Sequence, residues 1–429
     1  MKPSQDIHYQ STELHPGVRL HTAAAQRFKT ALLSVSFLTP LTMETSACHS
    51  LLCDVLTRGT ERYPTMKELN RAQEDLFALN IGAYSRLRGE LQFVRFDISC
   101  LEDAFAAEPS LLRKGTDLLK EILFRPLLKD GVFRPDITEL EKKNMCNVIR
   151  SRIDDKDHYA YLRCIAAMCP SEPYSVTARL TPETVAAITP EQLTSCYRSL
   201  LDPSPVEIIY VGRKEHAEIL SLCKDFPLGP RGSVALPRQT SVHPGDVRVI
   251  REPAEITQSK IVMGFRVNGI STQKDRLAFG LFHELFSASP SSRLFRNIRE
   301  KDGLCYYCSG TPDLSKGVYF IASATRPGQE DALRASVLQE WRSVCDHSVT
   351  PEELEQAKLS LSLSFREITD STYGIARFTL RRALRPGSLS PEECIRLMQT
   401  LTTEEVVAAA KLLEPDTIFV LEGDADHHE

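Results

Sequence analysis

The sequence lacks the long apolar runs and the charge bias that would indicate a membrane protein or a nucleic-acid-binding protein. No stretch of about eighteen apolar residues occurs, so we expect no membrane-spanning segment. Lysine and arginine number 52 against 57 aspartates and glutamates, and this net charge of -5 offers no basic surface for nucleic acid. Residues 1–17 contain no apolar h-region. We therefore expect no secretory signal peptide and a cytoplasmic protein.

The chain has a single tryptophan but twelve cysteines, and their distribution argues against a disulfide framework. The cysteines are scattered, which fits reduced thiols in a cytoplasmic protein better than a cross-linked scaffold. Cys305 and Cys308 have C-x-x-C spacing, but a zinc ribbon needs a second such pair and the sequence has none. We interpret both as half-buried strand positions.

The length and composition indicate a soluble globular protein of two domains. The chain has 429 residues, of which 42% are apolar and 25% are charged. A cluster of prolines and glycines in residues 226–246 is typical of a break between domains. We predict an N-terminal domain at residues 1–228, a linker at 229–246 and a C-terminal domain at 247–429.

An internal repeat relates the two predicted domains. Residues 188–212 and 401–421 both indicate a capped helix, a break at an acidic residue and proline, and an apolar strand. Thr189 and Thr402 are the predicted N-caps, each with acidic residues in the first helical turn. Long helices that begin near Leu140 and Leu354 repeat at nearly the same offset. The two halves are therefore predicted to be homologous.

Alternation of apolar and polar residues predicts strands with one buried face at Leu91–Cys100, Tyr306–Gly310 and Val318–Ala324. Each half also contains a strand followed by an apolar helix. These pairs are Leu32–Phe37 with Cys48–Leu56, and Lys260–Phe265 with Arg276–Phe286. We predict an α+β fold of two homologous halves, each an antiparallel-rich β-sheet with helices packed on one face.

Two segments resemble signatures of the pitrilysin/insulinase family of zinc peptidases, the inverzincins. Arg58–Pro64 is similar to the segment that follows the zinc helix of that family, and Ser292–Tyr306 closely resembles the signature of its C-terminal domain. The similarity covers nearly the whole chain, including the repeat and the linker. It implies two homologous α+β halves that enclose a chamber, in agreement with the fold predicted from the repeat.

The resemblance also implies that the zinc motif has been lost. Active members carry H-x-x-E-H on the first-half helix, where two histidines bind zinc and the glutamate is the general base. Counting back from the first signature places these positions on Ser50, Cys53 and Asp54. The third ligand of the family, a glutamate on a second helix, corresponds to Val148. We therefore expect a homologue that binds no metal or cofactor and is not active alone.

A second functional element of the family is retained. Active members use an arginine and a tyrosine to contact the substrate backbone and the tetrahedral intermediate, and Arg299 and Tyr306 match this pair. Some members divide the zinc and the Arg–Tyr pair between two chains. The resemblance implies that this chain pairs with a zinc-bearing sibling, or forms a homodimer, and acts on a peptide substrate. The simpler interpretation is a surface ion pair for Arg299 and strand packing for Tyr306.

The combination of a lost zinc motif with a retained arginine and tyrosine resembles a zinc-less subgroup of this family from Firmicutes. That subgroup is associated with 5-aminopentanol modification of elongation factor P. Two other functions stay open. One is a stand-alone peptide-binding or scaffold protein. The other is a metallopeptidase with unusual ligands, because His49 and Cys53 lie at i and i+4 beside Asp54. His283 and Glu284, in the matching helix of the second half, lack a second histidine and are interpreted as helix surface.

Overall fold

The computed structural model describes residues 7–106, 109–231, 242–346, 349–385 and 387–424. The strands are β1 (His8–His15), β2 (Val18–Ala24), β3 (Thr30–Pro40), β4 (Asn80–Arg88), β5 (Leu91–Leu101), β6 (Leu128–Lys129), β7 (Val132–Phe133), β8 (Val206–Gly212), β9 (Arg248–Pro253), β10 (Ser259–Val267), β11 (Tyr307–Asp313), β12 (Val318–Thr325) and β13 (Leu413–Glu422).

The α-helices are α1 (Met43–Leu56), α2 (Met66–Glu74), α3 (Leu111–Phe124), α4 (Pro135–Ser151), α5 (Lys156–Met168), α6 (Pro182–Ala186), α7 (Pro190–Leu201), α8 (His216–Cys223), α9 (Gln273–His283), α10 (Glu330–Cys345), α11 (Pro351–Thr369), α12 (Thr372–Ala383), α13 (Pro391–Gln399) and α14 (Thr403–Ala410). Two segments, Glu284–Ala288 and Leu294–Lys301, are π-helical. Among the helices of the described ranges, none combines the length and the apolar character that a membrane crossing requires.

These elements form two compact units, and each unit takes one segment from the other half of the sequence. The predicted boundaries at 228 and 247 assume uninterrupted domains and do not anticipate this exchange. Residues 232–241 of the predicted linker lie outside the described part of the chain. The first unit contains the described parts of Met1–Arg150, Leu180–Pro237 and Ile368–Gly387, and the second those of Ser151–Arg179, Arg238–Glu367 and Ser388–Glu429.

The first unit is built on a six-stranded sheet with the order β1-β2-β8-β3-β5-β4. Only β2 and β8 run parallel to each other; the other neighbours are antiparallel. Apolar side chains of α1, α3 and α7 pack on one face of this sheet. The exchanged helix α12 covers part of the other face, where Ile375, Ala376 and Leu380 contact Ile209 and Val211. Both faces of the sheet are therefore buried.

The second unit repeats this arrangement. Its five-stranded sheet has the order β11-β12-β10-β13-β9, with β9 and β13 parallel. Helices α9, α10 and α14 pack on one face. The exchanged helix α5 covers the other face, where Ala160, Cys164 and Met168 contact Val262 and Phe419. The order β9-β13-β10-β12-β11 corresponds to β2-β8-β3-β5-β4 of the first unit, which confirms the repeat predicted from the sequence.

The capping predictions are confirmed, and one predicted break is wrong. Thr189 and Thr402 form capping boxes at the start of α7 and α14. The predicted break at Pro415 does not end the strand, because β13 continues from Leu413 to Glu422 through a change of register opposite Gly264. A bulge accommodates the proline inside the strand.

The α+β fold class is confirmed, whereas the one-sided burial predicted for β5 is wrong. Phe93, Arg95 and Asp97 are nearly as inaccessible to solvent as Val94 and Phe96 on the opposite face. Arg95 Nε donates to Asp97 Oδ1 at 2.7 Å, so the buried charges are paired. The alternation of apolar and polar residues in β5 predicted a solvent-exposed face. It instead marks a face on which polar side chains are buried and paired.

A buried ion cluster holds the exchanged segment of the second unit. Glu172, which follows α5, accepts hydrogen bonds from Arg266 of β10 at 2.6 and 3.0 Å and forms an ion pair with Lys316. Arg266 also donates to Asp416 of β13 at 2.7 Å. Burial alone would raise the pKa of Glu172, but the hydrogen bonds from its two cationic partners outweigh burial and lower it. The cluster joins three separate parts of the sequence.

We predict that Glu172→Gln lowers the free energy of unfolding by about 1–3 kcal/mol at neutral pH, because the buried cations Arg266 and Lys316 lose a charged acceptor. Asp331→Asn removes an exposed partner of Arg251 and is the matched control, with an expected change below about 1 kcal/mol. Urea denaturation of both variants measures the difference.

The effect of Glu172→Gln on stability should also depend on pH. Because the folded-state pKa of Glu172 lies below its ordinary value of 4.5, its stabilising contribution is complete above that value. The contribution is lost as the pH falls through the folded-state pKa. The stability difference between wild type and Glu172→Gln should therefore shrink on acidification below 4.5. A difference that stays constant in that window would contradict this assignment.

Candidate functional site

The positions that correspond to the lost zinc motif lie on α1, which starts at the N-cap Thr42. Ser50 Oγ donates to the carbonyl of Ser46 at 3.1 Å, and the Cys53 thiol donates to a backbone carbonyl at 3.4 Å. Asp54 is exposed. Ser50 and Cys53 thus donate hydrogen bonds to backbone carbonyls one helical turn earlier.

His49 and Cys53, the alternative metal ligands, are both core residues with 3% exposure. His49 Nδ1 lies 3.0 Å from Gln92 Oε1 of β5. Burial lowers the pKa of His49 against the opposing effect of that hydrogen bond. Burial and then the charge of Asp54 raise the pKa of Cys53, so the thiol stays protonated. Within the described ranges, no group of three or more histidine, cysteine or acidic side chains could hold a metal. This donor set does not fit zinc.

A buried carboxylate on α4 is paired with a cation of the same chain. The Glu141 side chain is 4% exposed, and its Oε1 lies 2.5 Å from Arg58 Nε. Asn144 donates to its second oxygen at 3.0 Å. Desolvation and then the charge of Glu141 raise the pKa of Asp54, while Arg58 opposes them. Val148, the position of the third ligand, is 63% exposed and carries no donor atom. Among the described residues, the side chains of α1 and α4 therefore provide no set of metal ligands.

In the second unit, Arg299 lies in the π-helical segment whose Leu294 and Ile298 are buried. Arg299 itself is exposed, and its guanidinium carbon lies 4.5 Å from the centroid of the Phe295 ring. Among the described residues, no acidic side chain lies within ion-pair distance of Arg299. The surface ion pair considered for Arg299 is therefore not formed, and a cation–π contact orients the guanidinium.

Tyr306 is 50% exposed and stands immediately before β11, although the predicted strand Tyr306–Gly310 included it. Its backbone N–H donates to the Ala324 carbonyl of β12 at 3.0 Å, which fixes the main chain while half of the side chain remains accessible. The charge of Arg299 acts on the adjacent Cys305 thiol. The Leu304 backbone N–H donates to the Ile298 carbonyl at 3.0 Å, so the segments that carry Arg299 and Tyr306 pack against each other within the second unit.

Two interpretations of the second half are wrong. Cys305 precedes β11, and both it and Cys308 are buried, so they are not half-buried strand positions. His283 Nδ1 lies 3.1 Å from the hydroxyl of Tyr319, and burial lowers the pKa of His283 to about 4. His283 is half-buried and its ring contacts the Tyr319 hydroxyl, so it is not an ordinary exposed residue of the helix surface.

Two functional contacts were missed from the sequence. Phe295 lies one helical turn before Arg299, and this spacing could have indicated the stacking. The pairing of Arg58 with Glu141 has no signal in the sequence, because the two residues lie on separate elements and each is an ordinary charged residue.

Comparisons with known proteins identify what this chain resembles. Residues 187–361 match the family profile described as "Peptidase M16 inactive domain". The chain is 25% identical to the "Probable inactive metalloprotease YmfF" of Bacillus subtilis, over 95% of this chain and 96% of that protein. A conserved protein from Enterococcus faecalis of known structure is 25% identical, with a TM-score of 0.90 over 98% of this chain and 99% of that one. A peptidase M16 inactive domain from Pseudomonas fluorescens shares the fold, with 18% identity and a TM-score of 0.79 over 97% of this chain and 98% of that one.

We predict that the purified chain binds no stoichiometric zinc at neutral pH, because the donors near α1 are protonated or hydrogen-bonded. Metal analysis after incubation with zinc and gel filtration measures the content, and Cys53→Ala is the control variant. Stoichiometric zinc that disappears in Cys53→Ala would contradict the prediction and favour the unusual-ligand alternative.

Proposed function

We propose that this chain, which resembles inactive homologues of the M16, or pitrilysin/insulinase, metallopeptidases, is the non-catalytic subunit of a heterodimeric peptidase whose zinc belongs to a sibling chain. The observation that carries the proposal is an asymmetry between two sets of residues. The residues of α1 and α4 at the zinc-motif positions do not fit a metal, whereas Arg299 and Tyr306 are exposed on two segments that a 3.0 Å hydrogen bond from the Leu304 N–H to the Ile298 carbonyl joins.

The state of Arg299 supports a role in binding a ligand. An exposed guanidinium stacked on Phe295 has lost part of its rotamer freedom, so less conformational entropy remains to be lost on binding. Its hydrogen-bond donors are not taken by an acidic side chain of the described residues. A carbonyl or carboxylate oxygen of a peptide is a matching acceptor.

Tyr306 supplies a second donor from a fixed backbone. Its phenol can donate one hydrogen bond to a peptide carbonyl oxygen, and Arg299 adds positive charge nearby. Such donors stabilise the negative charge that develops on that oxygen during attack by water. The sibling's zinc would supply the activated water. This chain contributes orientation of the peptide and stabilisation of charge.

The two alternatives differ from this proposal in what the isolated chain can do. A stand-alone peptide-binding or scaffold protein would use the same two donors without any turnover. A metallopeptidase with unusual ligands would need His49 and Cys53, which are buried and hydrogen-bonded in the core. The association of the Firmicutes subgroup with elongation factor P has no counterpart in the contacts described above, and the proposal does not depend on it.

We predict that Arg299→Ala lowers kcat of the mixed complex by about 10²-fold and Tyr306→Phe by about 10-fold, because each removes a donor used mainly in the transition state. Hydrolysis of an internally quenched peptide library by the complex measures both. Arg296→Ala, on the same π-helical segment but paired with Glu353, is the matched arginine control. Tyr373→Phe, 45% exposed in the first unit, is the tyrosine control.

The controls should keep wild-type rates within about twofold, as expected for side chains outside the site. Unchanged kcat and KM in both Arg299→Ala and Tyr306→Phe would refute the assigned roles. An equal loss of activity in Arg296→Ala would indicate damage to the segment and not loss of a substrate contact.

A further inference from the structure

Three neighbouring strands of the first unit bring a hydroxyl, an imidazole and a carboxylate into one hydrogen-bonded row. Ser11 of the edge strand β1 lies directly opposite His21 of β2, and the Ser11 Oγ is 2.7 Å from His21 Nδ1. His21 Nε2 is 2.8 Å from Glu207 Oε2 of β8, the next strand of the sheet. Ser11 is exposed, whereas His21 and Glu207 are 6% and 1% exposed. The row therefore begins at the surface and ends inside the sheet.

The buried carboxylate determines which nitrogen of the histidine carries the hydrogen. A carboxylate can only accept, so His21 Nε2 donates to Glu207. In the neutral ring, Nδ1 then offers its lone pair, and the Ser11 hydroxyl donates to it. This direction is the one in which a histidine can draw the proton from a serine oxygen.

Arg19 supplies the positive charge that the buried carboxylate requires. Arg19 Nε donates to Glu207 Oε1 at 3.0 Å, and its Nη2 contacts the same oxygen. That Nη2 also donates to the Ala383 carbonyl at the end of α12 at 3.2 Å, which holds the guanidinium in place. Because Glu207 already has a cationic partner, the His21 ring need not carry the compensating charge. The ring is thereby available to accept a proton.

The next residue of β1 provides a contrast within the same strand. Thr12 Oγ1 lies 2.8 Å from Nε2 of His216 on α8, and Nδ1 of that ring lies 2.8 Å from Thr22 Oγ1. Among the described residues, no acidic side chain pairs with His216. Two adjacent hydroxyls thus contact a histidine, but only the histidine of Ser11 is oriented by a carboxylate.

We propose that Ser11 is a nucleophile that activated esters acylate, with His21 as its general base and Glu207 as the positioning residue of that base. The hydrogen bonds from nucleophile to base and from base to orienting carboxylate are the two that such chemistry needs. The substrate reaches the hydroxyl at the open edge of the sheet, where Ser11 is exposed. The site uses neither Arg299 nor Tyr306, so it stands apart from the proposed role in peptide binding.

The reaction balances without a further reactant. The Ser11 oxygen attacks the carbonyl carbon of the ester while His21 Nδ1 takes the hydroxyl proton. The bond from that carbon to the leaving oxygen then breaks, and His21 returns the proton to the departing alcohol. The products are an acyl ester on Ser11 and one free alcohol. Water that attacks the acyl group with the same base releases the acid and restores Ser11.

The test uses the purified full-length chain and a biotinylated fluorophosphonate, whose phosphorus atom takes the place of the ester carbon. Attack by Ser11 displaces fluoride and leaves a stable adduct, which digestion and mass spectrometry locate. We expect one adduct, at Ser11, and none at Thr12 or at Ser364, an exposed serine of α11. Unfolding in urea before labelling should abolish the adduct. Acetylation of Ser11 by p-nitrophenyl acetate tests the ester chemistry itself.

Variants separate the roles within the row. Ser11→Ala, at an exposed position, should fold normally and take no probe. His21→Gln should lower the labelling rate by about 10²-fold, as expected for the loss of a general base. Glu207→Gln should lower the maximal labelling rate and leave the half-saturating probe concentration unchanged. His15→Gln, an exposed position at the end of β1, is the matched histidine control and should stay within about twofold of wild type.

Urea denaturation of each variant shows whether it remains folded, so a loss of labelling in a folded variant is a loss of reactivity. The proposal is overturned if the folded wild-type chain takes up neither the fluorophosphonate nor the acetyl group at Ser11. Labelling at Thr12 or Ser364 as fast as at Ser11 would also overturn it, as would unchanged labelling of Ser11 in folded His21→Gln.

Discussion

The contact between Arg58 and the buried carboxylate of Glu141 determines what the α1–α4 face can do. A carboxylate withdrawn from water requires a positive partner, and here that partner is a guanidinium of the same chain. The neighbouring Asp54 has a raised pKa, and Val148 offers no donor atom. In the proposed function, the zinc for peptide hydrolysis comes from the sibling chain. The proposed role of Arg299 and Tyr306 as peptide contacts depends on this division between two chains.

The local structure was predictable because its determinants are close in sequence. The capping threonines of α7 and α14, the span of α11 and the strands β3, β5, β8, β10, β11, β12 and β13 follow from short patterns of polar and apolar residues. The exchange of α5 and α12 was not predictable. The apolar stripe of Ile375, Ala376 and Leu380 indicates an amphipathic helix, but nothing in it specifies which sheet the helix will cover.

The candidate site also divides into features set by short sequence patterns and features set by contacts between distant elements. Residue identity and spacing within a signature select Arg299 and Tyr306 as candidates and assign the lost motif to Ser50, Cys53 and Asp54, and these assignments stay predictions. The pairing of Glu141 with Arg58 and the half-buried position of His283 against Tyr319 depend on contacts between elements distant in sequence. The π-helical geometry around Arg299 is likewise set by tertiary packing, since helix propensity does not distinguish π from α.

The most direct test of the divided active site is a titration of a separately purified zinc-bearing sibling with this chain, with peptide hydrolysis as the readout. The account predicts negligible hydrolysis by either chain alone. Activity should rise with added chain until the two are equimolar and then stay constant, with zinc found only in the sibling. Full activity of the sibling without this chain would contradict the account, as would hydrolysis by this chain alone.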